Sequence, residues 1–249
     1  MVCMTIQEIL KATGATLVCG DMARSACGVT TDSREATDGK MFVAFAGERV
    51  DGNAFAPGAM KAGAGCIVLT RAADDDILEA AAQTGCPVIR AAEDDGEEFL
   101  LRLASYWREA HPNWIVLGIT GSVGKTTTKD LLACAVASTY RTHKTAGNFN
   151  SLIGMPITLL SAPDDTEVLV IEMGMNHAGE LARLTASARP DMALITNVGT
   201  SHIGFLGSRE GIARAKAEII AGIGTGPSHV GIEPCIVLGS FDEFTPFIA

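Results

Sequence analysis

A chain of 249 residues, 47% hydrophobic and 19% charged, carries enough apolar material for one large core or two ordinary ones. Its formal net charge of −10 argues against nonspecific binding to nucleic acid or to an anionic membrane surface, both of which need a basic footprint. No apolar run approaches the roughly 18 residues of a membrane span, and Glu8 and Lys11 interrupt the N-terminus where a signal peptide would be apolar. No nucleic-acid partner and no membrane insertion are therefore expected.

The first part of the chain alternates short elements. A helix is expected over 5–11, apolar strands over 41–45, 66–70 and 87–90, and helices between them. Two motifs stand out here: Thr31-Asp-Ser-Arg34 before a strand, and Asp51-Gly-Asn53 before a helix. Each reads as an ordinary turn or cap. Ser33 and Arg34, with loop amides, would also suit a diphosphate. Residues 94–111 read as a helix, with Asp94, Asp95, Glu97 and Glu98 at its positive end and Arg108 at its negative end. His111-Pro112-Asn113 breaks it, because proline disfavours helix in the residue before it. The boundary between domains 1–111 and 112–249 is placed there.

The second part has a steady α/β rhythm: strands expected at 115–119, 167–172, 192–196 and 235–238, helices at 125–137, 178–187 and 208–222. Continuous apolar strands alternating with helices indicate a mostly parallel sheet with flanking helices, its functional groups at the strands' carboxyl ends. After residue 222 come a glycine- and proline-rich stretch at 224–234, one strand and a tail. That leaves room for part of such a sheet, so the sheet is expected to be incomplete and the chain a fragment. The seven cysteines are scattered and never spaced C-x-x-C, and several lie in apolar runs as small core residues. A reducing cytoplasm is the expected compartment, with no zinc site.

The chemistry concentrates in Gly118-Ile-Thr-Gly-Ser-Val-Gly-Lys-Thr-Thr-Thr128, between an apolar strand and a helix. Strand, glycine loop and helix build a nucleoside-triphosphate site, here a variant of the strict G-x-x-x-x-G-K-[ST] spacing. Gly121, Ser122, Val123, Gly124, Lys125, Thr126 and Thr127 are its candidate phosphate contacts. Lys125 can reach the outer oxygens, and the Thr126 hydroxyl can take a magnesium ion. Glu172, ending the second strand, is either a further magnesium ligand or a solvated strand-end acid. Asn176 is expected to cap the helix beginning near 178. His202, just past the third strand, is either an ordinary loop histidine or a metal ligand. Lys216 reads as a solvated helix lysine. Asn148 and Asn150 are either turn residues or readers of a substrate amide.

In this order, Thr120-Gly-Ser-Val-Gly-Lys-Thr126, Lys144-Thr145 with Asn148-Phe-Asn150, Gly154-Met-Pro156, Ile171-Glu-Met-Gly174, Ala188-Arg-Pro-Asp191, Thr196-Asn-Val198 and His202 resemble the Mur ligases of peptidoglycan synthesis. The Asn-x-Asn loop resembles the branch that adds a dipeptide. The resemblance implies a cytoplasmic, monomeric, ATP- and Mg2+-dependent amide ligase. Its substrates would be UDP-N-acetylmuramoyl-tripeptide, activated as an acyl phosphate, and D-alanyl-D-alanine. It implies that Lys125 stabilises the transferring phosphoryl group, that Thr126 and Glu172 hold magnesium, and that His202 helps hold a second. It makes Lys216 a carbamylated lysine bridging toward that metal, reversing the reading from spacing. Through Asp32-Ser-Arg34 and Asp51-Gly52 the first domain resembles the family's UDP-sugar module, although Asp38 and Asn53 depart from it. The alternatives are a module that binds UDP-muramoyl-peptide and ATP without turnover, and a related ligase for another amino acid.

Overall fold

The computed structural model describes residues 1–47, 50–226, 233–239 and 243–248. Parts of the expected stretch 224–234 and of the C-terminal tail lie outside them. Contacts divide the chain into two compact units, Met1–Leu103 and Ala104–Ala249.

In the first unit β1 (Cys3–Thr5) leads into α1 (Ile6–Thr13), followed by β2 (Thr16–Cys19), β3 (Ser25–Cys27), β4 (Val29–Thr30) and β5 (Met41–Val43). Then come α2 (Ala56–Lys61), β6 (Cys66–Leu69), α3 (Asp75–Thr84), β7 (Val88–Arg90) and α4 (Gly96–Ala110). The first helix starts where its capping pair dictates. The Thr5 hydroxyl accepts from the Glu8 amide at 3.2 Å, and the Glu8 carboxylate accepts from the Thr5 amide at 2.8 Å. Five strands form one sheet in the order β2-β7-β6-β5-β4, parallel except for β2 on β7. Its apolar residues, among them Phe42, Ile67, Leu69 and Val88, pack against Met60 of α2 and Ile77 of α3. Among the described residues β1 pairs with β3 alone, which sets Cys3 directly opposite Cys27 with their Cα atoms 4.0 Å apart, a juxtaposition that the scattered spacing does not reveal. The division between units falls inside α4, whereas the helix itself ends just before the His111-Pro112 break.

The second unit continues with β8 (Ile115–Thr120), α5 (Lys125–Val136), β9 (Thr142–Lys144), α6 (Gly154–Ser161), β10 (Val168–Glu172) and α7 (Glu180–Ala188). β11 (Met192–Ile195), α8 (Ile203–Leu206), α9 (Arg209–Ala217), β12 (Cys235–Leu238) and α10 (Thr245–Ile248) follow. Among the described residues of this unit the five strands are all parallel, in the order β12-β11-β8-β10-β9. The chain visits one side of β8 first and then the other, so a crevice opens at the carboxyl end of β8, between the ends of β10 and β11. Ile119, Val168 and Val170 of the sheet pack against Ala133 of α5.

Two elements here escape sequence reading for plain reasons. β9 is a short, polar edge strand. α6 begins Gly154-Met-Pro156, which reads as a turn, yet proline is tolerated in a first helical turn because its missing N–H is not needed there. One expectation is corrected: Asn176 does not cap the following helix. α7 starts later, at Glu180, and the Glu218 carboxylate caps it by accepting from the Gly179 amide at 2.8 Å and the Ala182 amide at 3.1 Å. Among the described residues, no helix is long and apolar enough to cross a membrane.

Candidate active site

β8 runs straight into residues 121–124, and α5 begins at Lys125. Gly121 has a φ of +149°, and a Cβ there would stand 1.9 Å from Thr196 Oγ1, so only glycine lets the loop lie against the end of β11. Gly124, at φ +85°, turns the chain into the helix. The first amides of α5 have no acceptor within the helix and, with the loop, form a cradle for an anion. Lys125 lies over this loop, its Nζ donating to the Gly121 carbonyl at 2.8 Å. Thr126 and Thr127 follow on the exposed first turn.

The loop is strapped to the segment after β11. The Val123 amide donates to Asn197 Oδ1 at 3.1 Å, and Asn197 Nδ2 donates to the Val123 carbonyl at 3.0 Å. The Ser122 amide donates to the Asn197 carbonyl at 3.0 Å, and the buried Ser122 hydroxyl accepts from the Gly199 amide at 2.9 Å. The Val123 side chain is exposed, so this residue takes part through its backbone. Asn197 was legible only as one of a run of residues after a strand; its role in holding the loop comes from the fold.

Glu172 is 1% exposed, which excludes the solvated strand-end acid. Register pairs it with Ile119, the residue before the last of β8. Thr126 Oγ1 donates to its Oε2 at 3.0 Å, and Asn150 Nδ2 donates to its Oε1 at 2.7 Å. Its amide donates to Oγ1 of the buried Thr145 at 2.9 Å, a contact that sequence reading missed. Asn148 is exposed on the same loop and meets Asn150 only through backbone, its carbonyl accepting from the Asn150 amide at 2.7 Å.

Lys125, Asn150, Gly174, Asn176, Glu180 and His202 line one cleft of about 160 Å³. Glu180, absent from the expected site, accepts from the Asn176 amide at 2.7 Å. His202 has a φ of +66° at the start of α8. Burial lowers its pKa, the charges of Lys216 and Lys125 lower it further, and Glu180 opposes them. The solvated reading of Lys216 is corrected: the side chain is 2% exposed. It shares the buried face of α9 with Ile212 and Ala213, four and three residues earlier. Burial, then the charge of Lys125, lowers its pKa to about 8.

In the first unit Ser33 and Arg34 line a cavity of about 660 Å³ together with Phe42, Phe45, Val50 and Phe55. Arg34 is held by Asp32, whose carboxyl is pulled down to about 2 by that guanidinium. Asp51 lies outside this lining. Its carboxylate accepts from the Asn53 amide at 2.9 Å, from Asn53 Nδ2 at 2.7 Å and from Arg71 Nε at 2.8 Å. Asn53 is fully buried and also donates through Nδ2 to Thr70 Oγ1 at 3.2 Å, so Asp51-Gly-Asn53 acts as a structural knot beside the cavity.

The second unit's donors fit a nucleotide with a hard divalent cation. Thr126 and Glu172 offer oxygen ligands side by side, and the loop that Gly124 turns into α5 offers the helix's first backbone amides. Among the described residues no group of three or more His, Cys, Asp and Glu could hold a metal alone, so phosphate oxygens would complete the shell.

The chain is similar to known proteins in both units. A model described as Mur ligase middle domain matches residues 119–232, and one described as Mur ligase family, catalytic domain, matches residues 26–99. A UDP-N-acetylmuramoyl-tripeptide--D-alanyl-D-alanine ligase of Bacillus subtilis (strain 168) is 38% identical over 198 residues, which span 79% of this chain and 41% of that protein. The crystal structure of MurF from Acinetobacter baumannii superposes with a TM-score of 0.85 at 30% identity, over 100% of this chain and 51% of that one. The MurF ligase of Thermotoga maritima in complex with ADP gives a TM-score of 0.70 at 32% identity, over 80% of this chain and 44% of that one. This chain thus spans about two fifths to one half of the proteins it matches, and it belongs to the Mur ligase family.

Proposed function

We propose that this chain carries the UDP-precursor and ATP sites of an ATP-dependent ligase. The ligase joins D-alanyl-D-alanine to UDP-N-acetylmuramoyl-tripeptide in the cytoplasm. The observation that carries the reading is the convergence of Lys125, Thr126, Glu172 and His202, from three adjacent strand ends, beside the loop strapped by Asn197. The relatives' names supply the substrate class, and the ADP bound in the Thermotoga structure supports the nucleotide. Residues 1–111 form the UDP-muramoyl-peptide domain, with Ser33 and Arg34 toward the diphosphate and Asp51 shaping the turn beside them. Residues 112–249 form the ATP domain, where the Asn148–Asn150 loop faces the peptide end. The protein works as a monomer without nucleic acid, in keeping with its net charge of −10.

In the reaction a carboxylate oxygen of the tripeptide attacks the γ-phosphorus, and the bond to the ADP oxygen breaks. The D-alanyl-D-alanine amine then attacks the acyl phosphate carbon, phosphate leaves, and the amine proton passes to phosphate or solvent. Lys125 leaves the Gly121 carbonyl to meet the charge on the transferring phosphoryl group. The first amides of α5 hold the phosphates. Thr126 and Glu172 would hold magnesium, which would neutralise phosphate charge. Lys216, with a pKa near 8, has a neutral amine fraction near neutral pH. That amine adds to the carbon of carbon dioxide and loses a proton, giving an anion that, with His202, suits a second magnesium.

The test is equilibrium titration of the chain with ATP, with and without Mg2+, and with UDP-N-acetylmuramoyl-tripeptide. Both ligands are expected to bind. Lys125→Ala is expected to weaken ATP at least tenfold, the loss of one charge-assisted contact, and to leave the tripeptide nucleotide unchanged. ATP affinity unaltered in that variant would remove the phosphate-loop assignment.

A further inference from the structure

Glu172 is held at both carboxylate oxygens, and the two holders come from different segments. Thr126, on the first turn of α5, takes Oε2, while Asn150, on the loop after β9, takes Oε1 at 2.7 Å. The Thr126 contact is one that a metal would replace. The Asn150 contact is built in by its own surroundings. Its backbone carbonyl accepts from the Gly174 amide at 2.8 Å, two residues beyond Glu172. Its side-chain amide lies directly over Gly174, where a Cβ would stand 3.0 Å from both Cγ and Oδ1 of Asn150. Beneath the carboxylate, the Glu172 amide is fixed to Thr145 Oγ1, and the Thr145 carbonyl accepts from the buried Lys129 Nζ at 2.9 Å. Backbone and carboxylate are therefore held separately, the latter by Asn150.

A carboxylate turns easily about its last bond, whereas magnesium demands near-octahedral oxygen geometry. Groups that orient a ligand from behind commonly contribute 10–100-fold to metal affinity. We propose that Asn150 is a positioning residue that sets the rotation of the Glu172 carboxylate for the metal beside Thr126. Position 174 is glycine because the Asn150 amide occupies the space of its side chain. This inference rests on the magnesium reading of Thr126 and Glu172. It assigns Asn150 to the metal side of the cleft, whatever its amide oxygen does toward substrate.

The experiment compares ATP affinity with and without Mg2+ by calorimetry in the wild-type chain, Asn150→Ala, Gly174→Ala and the double variant. ATP affinity without metal, which also reports that each variant is folded, is expected to stay at the wild-type value. The gain in affinity on adding Mg2+ is expected to fall about tenfold in Asn150→Ala. Gly174→Ala, which displaces Asn150 by a few tenths of an ångström, is expected to lose part of that gain, and the double variant no more than Asn150→Ala alone. A full magnesium gain in Asn150→Ala overturns the proposal, as do losses that simply add in the double variant. A wild-type chain with no magnesium gain would instead overturn the magnesium reading on which the proposal stands.

Discussion

Lys216 shows what burial does to a single residue. An ammonium in the interior lacks its water, and a second cation, Lys125, adds repulsion, so the folded pKa falls to about 8 against about 10.4 in an unfolded chain. Between those values the unfolded chain binds more protons than the folded one, so stability rises with pH across that window. Below pH 8 both states are protonated and the full penalty applies, up to roughly 3 kcal/mol from the shift. Lys216→Met is therefore expected to melt higher than wild type at pH 7 in buffer free of carbon dioxide. The difference should close as pH rises from 8 to about 10.4. A difference independent of pH would show that the buried charge is not what costs stability. The residue's burial was hidden in the sequence because Arg214-Ala-Lys-Ala-Glu218 looks solvated. Arg214 does turn outward to Glu210, while Lys216 falls on the face of Ile212 and Ala213. Glu172 and Thr126 were legible for the opposite reason. Each sits at a point fixed by chain order, the end of an apolar strand and the start of a helix.

At the scale of elements, the glycine loop owes its shape to a neighbour as much as to its own glycines. Gly121 permits close approach to Thr196, and Asn197 then makes a two-bond clamp on Val123, donating to its carbonyl and accepting from its amide. Asn197→Ala leaves the Val123 amide to solvent, while the Val123 carbonyl keeps the Thr196 hydroxyl that donates to it at 2.7 Å, so the change is expected to cost about 0.5–1.5 kcal/mol of stability, read from denaturant midpoints. Hydrogen exchange of the Val123 amide should quicken in Asn197→Ala; an unchanged rate would refute the clamp. Such a brace could not be read from sequence, because nothing in Thr196-Asn-Val198 says that β11 lies beside β8. The strands themselves were legible, since a continuous run such as Val168-Leu-Val-Ile171 is buried on both faces of a parallel sheet. β9 was not: its three residues are polar and partly exposed, and only pairing with β10 makes them a strand.

For the whole molecule, a net charge of −10 and the proposed binding of two phosphorylated ligands pull against each other. The chain meets this with local devices, one in each unit. The first unit offers Arg34, free to leave Asp32 because its side chain is 86% exposed, at the rim of an aromatic-lined cavity. The second offers Lys125 and the helix amides at a sheet crevice. If each ligand is read by its own unit, charge removal should act crosswise. Arg34→Ala is expected to weaken UDP binding about tenfold and leave MgADP alone, and Lys125→Ala should do the reverse. Fluorescence or calorimetric titration of both ligands against both variants gives four affinities. Loss of both ligands in either variant would mean that the two phosphates are drawn by one shared field and not by separate cradles. Raising salt separates these cases further. A shared long-range field is screened over about 10 Å at 0.1 M, whereas a phosphate seated on helix amides in a partly buried loop loses much less.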